Sequence, residues 1–116
     1  MKVIIAGGRD FTNYDLVEKA VSKSNFEITE VVSGCARGAD TLGEAWALGN
    51  NVPVKGFPAN WNLHGRAAGP IRNKAMAEYA DALIAIWDGR SKGTANMITQ
   101  AREFGLDVFI YLVKET

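Results

Sequence analysis

Three short segments of the chain combine glycine with a cation and a hydroxyl: "GGRDFT" (Gly7–Thr12), "SGCARGAD" (Ser33–Asp40) and "WDGRSKGT" (Trp87–Thr94). Each follows an apolar run and leads into a helix-like stretch. A helix N-terminus presents free N–H groups and a partial positive charge. Glycine lacks the Cβ that would hold a phosphate away from the backbone. Serine and threonine add donors, and arginine or lysine neutralises charge. Such loops make an anion cradle, most simply for phosphate. A single loop of this kind could equally be a plain chain reversal. Three at one sheet edge favour the ligand.

The residues read as ligand-binding follow from these loops. In the first they are Gly7, Gly8, Arg9, Asp10 and Phe11. In the second they are Ser33, Gly34, Cys35, Ala36, Arg37, Gly38 and Asp40. In the third they are Trp87, Asp88, Gly89, Ser91, Gly93 and Thr94. A side chain added at Gly38 is expected to fill the anion site and leave the fold intact. A fourth segment, "GPIRNKAM" (Gly69–Met76), adds Arg72 and Asn73. Arg72 and Lys74 fall in the first turn of a predicted helix, where a cation opposes the helix dipole unless an anion is near. Asn73 is read as a donor to a base or a ribose.

Some of these residues carry a second reading. Ser33 has no G-x-S-x-G around it, so it is read as a hydroxyl donor rather than a nucleophile. Cys35 at a helix N-terminus has the position of a reactive thiol. With His64 the sole histidine, a small packing residue is the preferred reading. Asp10 and Asp40 either hold arginines or a ribose hydroxyl, or serve a helix start. A base needs a π-face on which to stack. Trp61 lies in an irregular segment, whereas Trp87 sits beside the cradle and is the preferred platform.

Five apolar runs position these loops: Lys2–Ala6, Ile28–Ser33, Val52–Phe57, Ala82–Trp87 and Val108–Val113. Most are β-branched, aromatic or nearly unbroken, as in strands buried on both faces of a parallel sheet. Helix patterns lie between them. Tyr14, Val17, Ala20 and Val21 form one stripe, with Thr12 and Asp15 as a short capping box. Leu42, Ala45, Trp46 and Gly49 form a second, of which Leu42, Ala45 and Trp46 are read as core. Pro70 suits a first helical position ahead of Ala75, Met76, Tyr79 and Ala80. Thr94 is read as the cap of the last helix, with Met97, Ile98, Ala101 and Phe104 on one face and Gly105 as its stop. The segment Pro58–Pro70 shows little periodicity and reads as a long functional loop. The alternation predicts a three-layer α/β sandwich with a parallel five-stranded sheet, ordered 3-2-1-4-5, in a single domain over residues 1–116. In such a sheet the ligand lies beyond the strands' carboxyl ends, where strand order reverses.

Composition narrows the function. The 116 residues suit one core, and 47% are apolar. Thirteen basic and 13 acidic residues give no net charge, which argues against a dedicated nucleic-acid binder. One cysteine and one histidine leave no disulfide framework and no Cys/His zinc site, so no metal is expected. No apolar stretch approaches the ~20 residues of a membrane span. The expectation is a cytoplasmic protein without a membrane partner. There is no G-x-x-x-x-G-K-[ST] and no G-x-G-x-x-G after the first strand, so neither a P-loop ATPase nor an ordinary NAD dehydrogenase is expected.

Taken together, "GGRDF", "SGCARGAD", "GPIRNKAM" and "WDGRSKGT" resemble the SLOG superfamily, in its YspA-like branch, over nearly the whole chain. The resemblance implies a Rossmann-like fold, a nucleotide or nucleotide-derived ligand such as an ADP-ribose-like signal, and a homo-oligomer. Two related groups set the alternatives. The LOG phosphoribohydrolases carry an arginine-lysine pair and PGGxGTxxE. Arg72 matches the arginine, Asn73 stands at the lysine, Gly93 and Thr94 match the GT, and Met97 stands where the catalytic glutamate falls. Methionine offers no proton and no carboxylate, so a binding module is expected ahead of a nucleotide hydrolase. The DNA-processing DprA proteins share a similar SGxAxGID and arginine-asparagine pair, which keeps single-stranded DNA binding as a further alternative.

Overall fold

The computed structural model describes residues 1–114. Five strands form one sheet: β1 (Lys2–Gly7), β2 (Glu30–Ser33), β3 (Val54–Gly56), β4 (Ala82–Trp87) and β5 (Asp107–Leu112). Its order is β3-β2-β1-β4-β5, and every neighbouring pair is parallel. The helices are α1 (Tyr14–Ser24), α2 (Ala39–Gly49), a one-turn α3 (Trp61–His64), α4 (Ala68–Tyr79) and α5 (Lys92–Glu103). This is the Rossmann-like three-layer sandwich expected from the alternation.

The two-residue period of the strands divides the core between the two faces. Ile4 and Ala6 of β1, with Leu83 and Ala85 of β4, meet Met76, Ala77 and Ala80 from the α4 side and Met97, Ile98 and Ala101 of α5. Val3 and Ile5, with Ala82, Ile84 and Ile86, meet Val17 and Ala20 of α1 and Ala47 of α2. Apolar residues on both strand faces are thus both used, which is why these runs read as unbroken. β3 and β5 lie at the sheet edges, and their residues are exposed or half-buried rather than fully covered.

Several local assignments differ from expectation. Asn13, not Thr12, caps α1 and accepts from the Asp15 N–H at 3.0 Å. Ser91, not Thr94, caps α5 and accepts from the Thr94 N–H at 3.4 Å. Pro70 is the third residue of α4, because a 3₁₀ turn over Gly65–Ala67 feeds the helix early. The segment Pro58–Pro70 is therefore partly helical rather than an irregular loop. On α2 the buried stripe is Ala39, Gly43 and Ala47, while Ala45 and Gly49 are exposed and Leu42 and Trp46 half-buried. Small residues at four-residue spacing bring this helix down onto β1: a Cβ at Gly43 would stand 2.9 Å from Ile5 Cγ2. Phe104 is exposed at the C-cap of α5, and Gly105 follows in the left-handed conformation at φ +75°, as a helix stop requires.

The connection from β3 to β4 crosses to the far side of β1, so strand order reverses between β1 and β4. Gly7 pairs with Ile86 at the end of this pair. The loops after β1, β2 and β4 consequently leave the same sheet edge.

Gly38 joins two of these loops. It has φ +79°, and a Cβ there would lie 2.3 Å from the Gly8 carbonyl oxygen and 2.5 Å from that of Arg9. The Ala39 N–H next to it donates to the Gly8 carbonyl at 3.1 Å. The expectation that a Gly38 side chain would spare the fold is thereby corrected: it would collide with backbone. Gly38→Val should destabilise the protein by at least about 2 kcal/mol, from an unfavourable φ and forced displacement of the neighbouring loop. Urea denaturation of the variant and the wild type checks this.

Candidate functional site

The loop after β1 is set by close packing. A Cβ at Gly7 would meet the Ile86 carbonyl oxygen at 2.3 Å and Ala39 Cβ at 2.8 Å. Gly8 has no such constraint: nothing stands within 4 Å of its added Cβ, and its φ is not positive. The Gly8 carbonyl also accepts from the Phe11 N–H at 3.4 Å, which tightens the turn.

The loop after β4 is organised by Asp88. Its Oδ1 accepts from the N–H groups of Arg90 (2.8 Å) and Ser91 (2.9 Å). These two bonds hold its carboxyl below the usual carboxylate range. Ser91 Oγ in turn accepts from the Thr94 hydroxyl at 3.1 Å. Gly89 takes φ +82° in this turn. Gly93 resembles Gly8, since a Cβ there would enter open space.

The fourth segment supplies the central cation. Arg72 donates through Nη1 to the Gly34 carbonyl and through Nε to Asn73 Oδ1 at 2.9 Å. Asn73 Nδ2 donates to Asn96 Oδ1 at 3.0 Å and to the Gly93 carbonyl at 3.3 Å. Both polar atoms of Asn73 are thus engaged within the protein. It orients Arg72 and ties α4 to the start of α5, rather than donating to a base as expected from sequence.

Gly34 explains how Arg72 is seated. A Cβ at Gly34 would stand 2.6 Å from Arg72 Nη1 and 2.8 Å from Asp40 Oδ2. The guanidinium and the carboxyl therefore converge where this side chain is missing. Asp40 is 7% exposed and accepts from the Ala36 N–H at 3.2 Å. Burial pushes its carboxyl up to about 6, against the opposing pull of that N–H and of Arg72. Burial likewise lowers the Arg72 guanidinium, partly countered by Asp40. For both groups desolvation outweighs their mutual attraction.

These groups surround a cleft of about 820 Å³, within the range of small-molecule sites. Of the residues read from sequence, Gly7, Gly8, Arg9, Asp10, Phe11, Ala36, Asp40, Arg72, Asn73, Asp88, Ser91, Gly93 and Thr94 line it. Residues at or beside the N-termini of α1, α2, α4 and α5 all reach its wall, and a helix N-terminus carries partial positive charge.

The remaining expected residues stand elsewhere. Ser33 is buried, donates to Glu44 Oε2 and accepts from the Cys35 N–H, so its hydroxyl serves the protein rather than a phosphate. Gly34 and Gly38 act by making room for neighbours. Cys35 is exposed with φ +62° and its sulfur faces Gly56, away from the cleft. Arg37 makes an exposed ion pair with Asp10 at 3.3 Å, a contact worth about 0–1 kcal/mol. Trp87 donates its indole N–H to the Ser91 carbonyl at 3.1 Å and packs on the core, where it braces the loop from outside the cleft lining. Trp61, Lys92 and Asn96 line the cleft and were not selected from sequence. Lys92 and Asn96 flank Gly93 and Thr94, and Trp61 competes in the sequence with Trp87 as the aromatic platform. Among the described residues no group of three or more His, Cys, Asp or Glu is placed to hold a metal ion. No helix among them is long and apolar enough to cross a membrane.

Fold and cleft define a Rossmann-like α/β protein with its candidate ligand site at the topological switch point. The model of the YAcAr family, the YspA, cpYpsA-related SLOG family, matches residues 1–64. The chain belongs to that family. It is 34% identical over 117 residues to the Gene 61 protein of Mycobacterium phage D29, covering 92% of this chain and 93% of that protein. Its fold is similar to that of the DNA processing protein A (DprA) from Streptococcus pneumoniae, with a TM-score of 0.74 and 23% identity. That match covers 94% of this chain and 49% of the DprA chain, so this chain spans about half of its length.

The raised Asp40 carboxyl carries a pH signature. The native state keeps this proton up to about pH 6, whereas the unfolded chain releases it near 3.8. Its contribution is therefore fully present below about pH 4 and is lost as pH rises to about 6, at a cost of about 3 kcal/mol above that. Asp40→Asn keeps the acceptor for Ala36 and removes the charge. It should raise Tm near neutral pH more than at about pH 4, checked by thermal melts across that range.

Proposed function

We propose that the protein binds a nucleotide or nucleotide-derived ligand, with its phosphate in the cleft over Gly8 and Gly93. The observation that carries this reading is the nature of those two glycines. Neither packing nor a positive φ requires glycine at either position, yet both form the cleft surface. A ligand pressed against the backbone supplies the missing reason. Arg72, held by Gly34 and Asn73 and only partly compensated by Asp40, supplies the neutralising charge. The helix N-termini add oriented N–H groups. An ADP-ribose-like molecule suits both the cleft volume and this phosphate site.

Binding without chemistry is the preferred form of this reading. Met97, at the LOG glutamate's place, is 1% exposed, packed in the core and part of the cleft wall. It offers no group for proton transfer. Asp40 favours a second reading, a hydrolase of the same ligands, because a carboxyl titrating at about 6 beside Arg72 is a proton donor near neutrality. The net charge of zero favours a mononucleotide-sized ligand over a DNA strand.

Isothermal titration with nucleoside monophosphates, ADP-ribose and a single-stranded oligonucleotide tests the proposal. Hydrogen bonds to charged groups contribute about 1.5–3 kcal/mol, so Arg72→Ala should weaken nucleotide binding by roughly ten- to a hundredfold. Arg72→Lys should restore only part, because the planar fork is lost. Gly8→Val should abolish binding while changing stability by no more than about 0.5 kcal/mol. Unchanged affinity in both Arg72→Ala and Gly8→Val would refute the phosphate site. Chromatography of the incubated ligand should return it intact. Free base that scales with protein and disappears in Asp40→Asn would establish the hydrolase instead.

A further inference from the structure

Two aromatic residues, Phe11 and Trp61, line the cleft. Phe11 packs against the core cluster of α1 and α2, so its ring is committed to the fold. Trp61 is different: it is 49% exposed, a large apolar surface left in water beside a polar cleft. Its position is nevertheless fixed. Asn60 caps the one-turn α3 by accepting from the Leu63 N–H at 3.1 Å. On its inner side the indole lies over buried Gly69 of α4, where an added Cβ would be 3.5 Å from Cη2. The Arg9 guanidinium from the β1 loop sits over the ring, 5.4 Å from its centroid. A flat aromatic surface thus stands at the cleft, already occupied by a planar cation from the β1 loop.

Resting on the phosphate-site reading above, we propose that Trp61 is the stacking platform for the ligand's nucleobase, and that the base displaces Arg9 from the indole. An exposed cation–π contact is weaker than stacking of a base, so the exchange favours the ligand. The released guanidinium is then available to phosphate at Gly8, its chain neighbour. Recognition would therefore require an aromatic base joined to the phosphate through a ribose, with little preference among bases, because every base has a π-face. Phosphate alone or a sugar phosphate would bind only the inner part of the site.

The test uses the full chain with nucleoside monophosphates and ribose 5-phosphate. Nucleotides should quench tryptophan fluorescence, and ribose 5-phosphate should not. Trp61→Phe should lose the quench and keep nucleotide affinity within a few-fold. Trp61→Leu should weaken nucleotides by about ten- to a hundredfold and leave ribose 5-phosphate unchanged. Thermal melts confirm that both variants are folded. If Trp61→Leu binds nucleotides like the wild type, or loses ribose 5-phosphate to the same degree, the platform is refuted while the phosphate site stands. If neither nucleotides nor ribose 5-phosphate bind the wild type, both the site and the platform fall.

Discussion

The hydrogen bond from the Ala39 N–H to the Gly8 carbonyl is the contact on which the arrangement of the cleft depends. It joins the β1 loop to the start of α2, and it forms only because Gly38 leaves room for the Gly8 and Arg9 backbones. Gly7 adds a second close approach, against Ala39 and Ile86. With these loops pinned together, Asp40 is carried one residue further into the cleft wall. There it meets Arg72, which arrives from the other side of the sheet on α4. A backbone crossing therefore sets the distance between the two charges, and the side chains inherit it.

That geometry places two opposite charges where neither is well solvated. Each is shifted toward its neutral form by burial, and each is partly rescued by the other. A pair optimised for stability would be exposed or bidentate, or replaced by apolar groups. Here the guanidinium instead spends its donors on the Gly34 carbonyl and Asn73. The same residues that hold it in place leave its charge undercompensated. Under the proposed function, an incoming anion would supply what Asp40 does not.

Strand order and helix order were legible in the sequence because the central strands are buried on both faces and the connecting helices are amphipathic. The finer choices were not. Thr12 and Asn13 are both capping residues, as are Ser91 and Thr94, and composition cannot choose between neighbours of equal propensity. The α3 turn is too short to show a periodicity, so Pro58–Pro70 read as loop. Trp87 was favoured as an aromatic platform for its place in the chain, but its indole N–H finds the Ser91 carbonyl four residues on and the ring turns inward. Trp61 reaches the β1 loop from 52 residues away from Arg9 in sequence, a contact no local pattern encodes.

The glycines show why a motif read in one dimension mixes different physical roles. Gly7, Gly34 and Gly38 are occupied positions: the space of each missing side chain is filled by other protein atoms. Gly8 and Gly93 are vacant ones: both line the cleft, and an added Cβ at either would meet nothing within 4 Å. The first kind builds the cleft and tolerates no substituent whether or not a ligand exists. At the second kind, neither a packing contact nor a positive φ accounts for the missing side chain. Sequence places both kinds side by side in "GG", and only the neighbouring backbone separates them. The vacant pair comes from different segments, one in the loop after β1 and one in the first turn of α5 after β4, on either side of the switch point. A ligand contacting both would bridge the two halves of the sheet, so the proposed anion site would belong to the fold's topology rather than to any single glycine-rich loop.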